Sequence, residues 1–277
     1  MNGFTYRGAD GSPLYAATVG ESGRRAPGDG GHVVVLLHGG GPDHHSLIPL
    51  AQRVADPHIV VLPDVRGYGR SICTDESRHT WAQYAGDVIA LLDHLQVRDA
   101  IVGGAGLGAT IALRTAVTYP DRVAGAVLIS VEDVEDDERK QAEIAFMDAF
   151  AARVRTDGIE AGWGPILGDL APVIGTMVRD AIPRSNPASI AAAAAIGRDR
   201  AFRTVDELSV VGSPVLVFPG LDWRHPATVA EELARVLPNG RLAPVALSAE
   251  VLSADDFAKA FAPAIRDFLA TTPPRGG

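Results

Sequence analysis

Short, nearly unbroken runs of Val, Ile and Leu alternate along this chain with segments of helical periodicity, which predicts an α/β protein with a mostly parallel, doubly wound sheet. The runs are apolar at nearly every position, as in strands buried on both faces. The segments between them are long enough to carry crossover helices. With 277 residues, 47% of them hydrophobic and 21% charged, the chain can bury a large core within one domain.

Residues 4–19 read as two strands turned at Asp10-Gly11-Ser12-Pro13. Residues 20–31 are glycine-rich, contain a proline and read as a loop. Strands are predicted over 32–37, 58–63, 99–104, 123–130, 214–219 and 241–247, and helices over 46–55, 81–95, 107–119, 227–237 and 254–270. The rhythm breaks between 132 and 207. That stretch opens with the acidic run Glu132-Asp133-Val134-Glu135-Asp136-Asp137-Glu138, a solvated helix start favoured by the helix dipole, and carries an alanine-rich helical stretch at 191–195. It predicts a helical lid of residues 132–207 on a core of residues 1–131 and 208–277.

A net charge of −9 argues against a nucleic-acid surface and suits a small-molecule ligand or substrate. One cysteine, Cys73, excludes an intrachain disulfide and a thiolate metal cluster, and packing is its expected role. The N-terminus lacks a secretory signal and no apolar run approaches the length of a membrane span, so a cytoplasmic protein without membrane association is expected. Neither a metal nor another cofactor is expected. The sequence leaves oligomeric state open.

The segment Gly104-Ala105-Gly106-Leu107-Gly108 joins an apolar strand to a helix and resembles the nucleophile elbow of α/β-hydrolases, with glycine where the serine stands. Three other segments, in the same order as in that superfamily, resemble it too. They are His38-Gly39-Gly40-Gly41-Pro42, similar to the oxyanion loop, Asp64-Val65-Arg66-Gly67-Tyr68-Gly69-Arg70-Ser71, and Val215–Asp222, similar to the strand and loop that carry the triad acid. Thr80–Val88 matches the start of the helix before the elbow. The likeness is nearest to the enol-lactonase and small-ester-hydrolase branches. It implies an α/β-hydrolase fold of about eight strands.

The same resemblance exposes what is missing. Gly106 cannot attack a carbonyl, and the loop after the last expected strand, residues 246–255, has no histidine; the last one in the chain is His225. A serine restored at 106 is therefore not expected to restore turnover. Asp222 remains, as triad acid or helix cap. The backbone N–H groups of Gly40 and Leu107 are expected to keep the oxyanion-hole frame. For proton chemistry the candidates are His225, with Asp222 as its neighbour, and then His44 and His45; all three map to the ligand edge of the sheet. His38 is expected to brace its loop, Arg66 and Tyr68 to be structural, and Glu132 and Asp133 to stand at the lid's mouth.

Gly104-x-Gly106-x-x-Ala109 also fits a dinucleotide fingerprint with Glu132 as the ribose acid, but two strand–helix units precede it, where the fingerprint normally opens its domain. Three functions follow. The first is a non-hydrolytic enzyme (cyclase, isomerase, dehydratase or lyase) using the oxyanion-hole pocket. The second is a catalytically inactive ligand-binding or interaction protein. The third is a hydrolase acting through water with His225 and Asp222.

Overall fold

In the computed structural model, which describes residues 1–20, 31–132, 137–222 and 224–273, the expected N-terminal hairpin forms. Strand β1 (Asn2–Arg7) pairs antiparallel with β2 (Pro13–Val19), and Gly11, at φ +80°, makes the turn. The remaining strands are β3 (Val33–Leu37), β4 (Ile59–Pro63), β5 (Ala100–Ala105), β6 (Val123–Ile129), β7 (Val215–Phe218) and β8 (Gly240–Leu242). They form one eight-stranded sheet in the order β1-β2-β4-β3-β5-β6-β7-β8, parallel from β4 to β8.

Helices α1 (Ile48–Val54), α2 (Trp81–His94), α3 (Leu107–Thr118), α8 (Ala227–Val236) and α9 (Ala254–Thr271) cover the sheet. The pleat divides the core between its two faces. Val35, Leu37, Val61 and Val102 pack with Leu91 of α2 and Ile111 of α3, whereas Val34, Leu36, Val60 and Ile101 pack with Leu50 of α1 and Phe261 of α9. Local chemistry fixes the helix starts. Thr80 accepts from the Gln83 N–H to cap α2, and Ser253 with Asp256 forms a capping box on α9.

Between β6 and β7 the described residues form only helices: α4 (Asp137–Asp157), α5 (Ile159–Trp163), α6 (Pro172–Ala181), α7 (Pro187–Ala193) and short 3-10 turns. One expectation changes and two go untested. The last strand covers 240–242, not 241–247, because Pro244 has no N–H to continue the ladder. Most of the 20–31 loop and, from the acidic run, Asp133–Asp136 lie outside the described residues.

Candidate active site

The turn from β5 into α3 holds Gly106 at φ +52°, ψ −120°, a conformation that costs an L-residue about 1 kcal/mol or more. Its N–H donates to the Ile129 carbonyl, and its own carbonyl accepts from Ala109 and Thr110, so sheet and helix fix the turn together. Gly108 is needed for close packing, since a Cβ there would fall 2.2 Å from the Leu37 carbonyl oxygen. At Gly106 the space is open. Among the described residues, a Cβ there would meet only His225 Nε2 at 3.5 Å and Gly39 Cα at 3.9 Å.

His225 reaches the elbow from the loop between β7 and α8. Its Nδ1 lies 2.7 Å from Asp222 Oδ1, and the same oxygen accepts the backbone N–H groups of Arg224 and His225. Asp222 thus shapes the loop and orients the ring at once. The other ring nitrogen, Nε2, lies 3.1 Å from Glu132 Oε2. Arg224 continues the chain of charges, 3.3 Å from Glu132 and 2.6 Å from Glu143 of α4. Glu132 follows β6 and is held to the elbow helix by Thr110, whose hydroxyl donates to its carbonyl and accepts from its N–H.

These contacts set the charges. Burial works against a charged His225, but its hydrogen bonds to Asp222 and Glu132 and the field of both carboxylates outweigh it and push its pKa up to about 9. Burial likewise opposes ionisation of Glu132, yet Arg224 and His225 bring it down to about 2. At neutral pH the arrangement is an imidazolium between two carboxylates: both ring nitrogens donate, and His225 is poised as an acid.

The group borders a cavity of about 370 Å³. Its floor includes Gly39, Gly40, Gly106 and Leu107, and its upper wall comes from Phe146, Phe150, Trp163, Ile174 and Ile190 between β6 and β7. Leu107 opens α3, where N–H groups have no partner within the helix and the dipole's positive end favours negative charge.

The expected residues divide clearly. Gly40, Gly106, Leu107, Asp222, Glu132 and His225 all line the cavity. His44 and His45 do not, which corrects their place among the ligand-binding candidates. Asp43 caps the turn that carries them, and the rings point to other partners: His44 Nδ1 pairs with buried Asp64 at 2.7 Å and His45 Nδ1 with Asp43 at 3.1 Å. Asp43, His44 and His45 each bring a potential metal-ligand atom within 4.8 Å of the others, but Arg184 already supplies the cation on Asp43, at 2.6 Å.

His38 braces its loop as expected, accepting the Val65 N–H at Nε2 while Nδ1 donates to the Gly39 carbonyl. Arg66 is structural, fully buried between Asp10 and Asp87. Tyr68 is buried too, but it also lines the cavity. Cys73 is half-buried away from the cavity, and Asp133 lies outside the described residues. Glu132, the acid of the dinucleotide alternative, is engaged by His225 and Arg224. Arg224 and Glu143 escaped sequence reasoning because a charged loop residue and a charged helix residue 81 positions apart carry no pattern that links them.

Similarity to known proteins bears on the fold. A family model described as alpha/beta hydrolase fold matches residues 32–171. A proline iminopeptidase from Arabidopsis thaliana is 38% identical over 103 residues, 35% of this chain and 26% of that protein. An epoxide hydrolase from Caballeronia sordidicola is 42% identical over 72 residues, 26% of this chain and 22% of that one. The chain therefore aligns with only about a quarter of the length of these two curated relatives. Among solved structures, the enol-lactonase from Burkholderia xenovorans LB400 superposes with a TM-score of 0.76 at 23% identity, covering 93% of this chain and 96% of its own. A thermophilic esterase from Thermogutta terrifontis gives 0.76 at 23%, covering 98% and 99%. With the sheet order, the elbow turn and the family match in agreement, the chain belongs to the α/β-hydrolase fold family.

Proposed function

We propose that this chain is a small-molecule enzyme that transfers protons without forming a covalent intermediate at the elbow, and so catalyses a non-hydrolytic reaction such as an isomerisation or elimination. The observation that carries this reading is the position of His225, braced by Asp222, with Nε2 beside the open space above Gly106. A substrate carbonyl placed against the N–H groups of Gly40 and Leu107 would take a proton from His225. Glu132, released from the imidazolium, would accept a proton from the adjacent carbon. The pair resets by passing the proton back across the 3.1 Å that separates them. Residues 132–207 act in this reading as a lid on a core of residues 1–131 and 208–277; the cavity wall they contribute supports it.

The test is solvent deuterium incorporation into a panel of apolar ketones, 2-octanone and 1-indanone among them, followed by NMR. Exchange by the wild type that His225→Gln and Glu132→Gln both lose is the expected result. Binding without exchange across the panel would point instead to a ligand-binding protein. A second reading, hydrolysis by a water held above Gly106, is supported by relatives that are named as an epoxide hydrolase and an enol-lactonase. Transfer of ¹⁸O from labelled water into the products of lactones, esters or epoxides separates the two.

A further inference from the structure

Ser130, the residue after β6, combines features that the proton-transfer reading leaves unused. Its backbone is left-handed, at φ +55°, one of two non-glycine residues with positive φ among those described. That conformation is costly for serine and persists only where the surroundings enforce it. They do so here: its N–H donates to the Phe218 carbonyl of β7, while its neighbour Ile129 accepts from the Gly106 N–H. The residue is more than nine-tenths buried and lines the cavity. Its hydroxyl is buried and has no hydrogen-bond partner among the described residues.

A buried hydroxyl without a partner costs about 1–3 kcal/mol, and an alanine would avoid that cost. Trp81 Nε1 is likewise buried without a partner among the described residues, and Trp81 lines the cavity. An indole, however, is fixed by its packing, whereas a serine hydroxyl is redirected by rotation about one bond. Position points the same way. Ser130 is two residues from Glu132 and adjoins the elbow through Ile129, so it stands at the polar end of an otherwise largely apolar cavity.

We propose that Ser130 is a ligand-binding residue whose hydroxyl hydrogen-bonds the polar head of an otherwise apolar substrate, so that the cavity takes medium-length compounds with a single carbonyl, carboxylate or hydroxyl head. This rests on the reading of the cavity as a small-molecule site and adds a residue that fixes the substrate's head.

The experiment measures dissociation constants by calorimetry for 2-octanone, octanoate, 1-octanol and n-octane, on the wild type and on Ser130→Ala and Ser130→Gly, with thermal unfolding of all three proteins. The expected result is that at least one headed compound binds the wild type and binds both variants about tenfold more weakly. Octane should bind all three alike. Both variants should unfold at or above the wild-type temperature, because each removes a buried hydroxyl without a partner and glycine also relieves the left-handed backbone. Unchanged affinity for every headed compound would overturn the role of Ser130 and leave the small-molecule reading intact. So would weaker binding accompanied by a lowered unfolding temperature. Failure of every headed compound to bind the wild type would overturn both.

Discussion

His225 Nε2 stands 3.5 Å from the point where a Cβ on Gly106 would sit, and Asp222 holds the opposite nitrogen of the same ring at 2.7 Å. A histidine and the carboxylate that orients it thus stand on one loop beside an elbow that carries no side chain. The expectation that a serine at 106 would stay inactive for want of a partner histidine does not fit this geometry, since His225 stands beside that position. The reason is topological. The loop after β7 carries both residues, so the loop after β8 need not supply a histidine.

Gly106→Ser should therefore acquire activity. Among the described residues only Gly39 Cα and His225 Nε2 lie within 4 Å of the new Cβ, so the side chain fits, at a cost of about 1–2 kcal/mol for its left-handed backbone. Slow hydrolysis of p-nitrophenyl acetate and fluorophosphonate labelling at position 106 are expected, both lost when His225→Ala is added. Because Asp222 and Glu132 together keep the imidazole protonated, the activity should rise towards pH 9, and adding Glu132→Gln should shift that rise to lower pH. An inert, folded Gly106→Ser protein would show that His225 cannot serve a nucleophile there.

The unaltered protein should neither turn over activated esters nor be labelled by fluorophosphonates, since glycine at the elbow offers no attacking atom. Mass spectrometry after probe treatment reads this directly. Stoichiometric labelling of any serine would contradict it.

His225 also couples the site to stability. Its pKa is raised to about 9 in the folded state, so its stabilising contribution, on the order of 3 kcal/mol, is fully present below about pH 6.5 and is lost as pH rises through 9. Glu132 has the opposite sign: depressed to about 2, its contribution is present above about pH 4.5 and lost as pH falls towards 2. Denaturant unfolding from pH 6 to 10 on the wild type and His225→Gln tests the first. The wild-type decline should be absent in the variant, and parallel curves would refute the assignment. NMR titration of the imidazole should show the raised pKa independently.

Arg184, in the turn after α6, bonds both oxygens of Asp43 at 2.6 and 3.1 Å, and Asp43 is almost fully buried in the loop that follows β3. Arg184→Ala leaves that carboxylate buried without its cation and should cost about 2–4 kcal/mol. Limited proteolysis within residues 137–193 should accelerate along with it. Unchanged stability and unchanged cleavage would show that the pair contributes nothing to holding these helices.

How much of this was legible in sequence follows from the range of the forces involved. Apolar runs identified the strands and helical periodicity their crossovers, because burial on a sheet's two faces is recorded residue by residue in the chain. The turn Gly104–Gly108 and the loop His38–Pro42 were readable because backbone geometry that demands glycine leaves a local mark. Even the pairing of Asp222 with His225 was within reach, the two being three residues apart.

Tertiary structure decided the rest. That His225 faces Gly106, 119 positions earlier in the chain, depends on β5 and β7 flanking β6 in the sheet, and nothing in either segment alone encodes it. His44 and His45 looked equivalent to His225 by position at the sheet's edge, yet an Asp43 cap and a buried Asp64 hold their rings away from the cavity. The charge on His225 was undetermined until Glu132 arrived from the end of β6, because a pKa is set by whichever groups packing brings within a few ångströms. The sequence determined the frame and the loss of the elbow nucleophile; only the packing of three strand ends together decided which side chains stand over the gap.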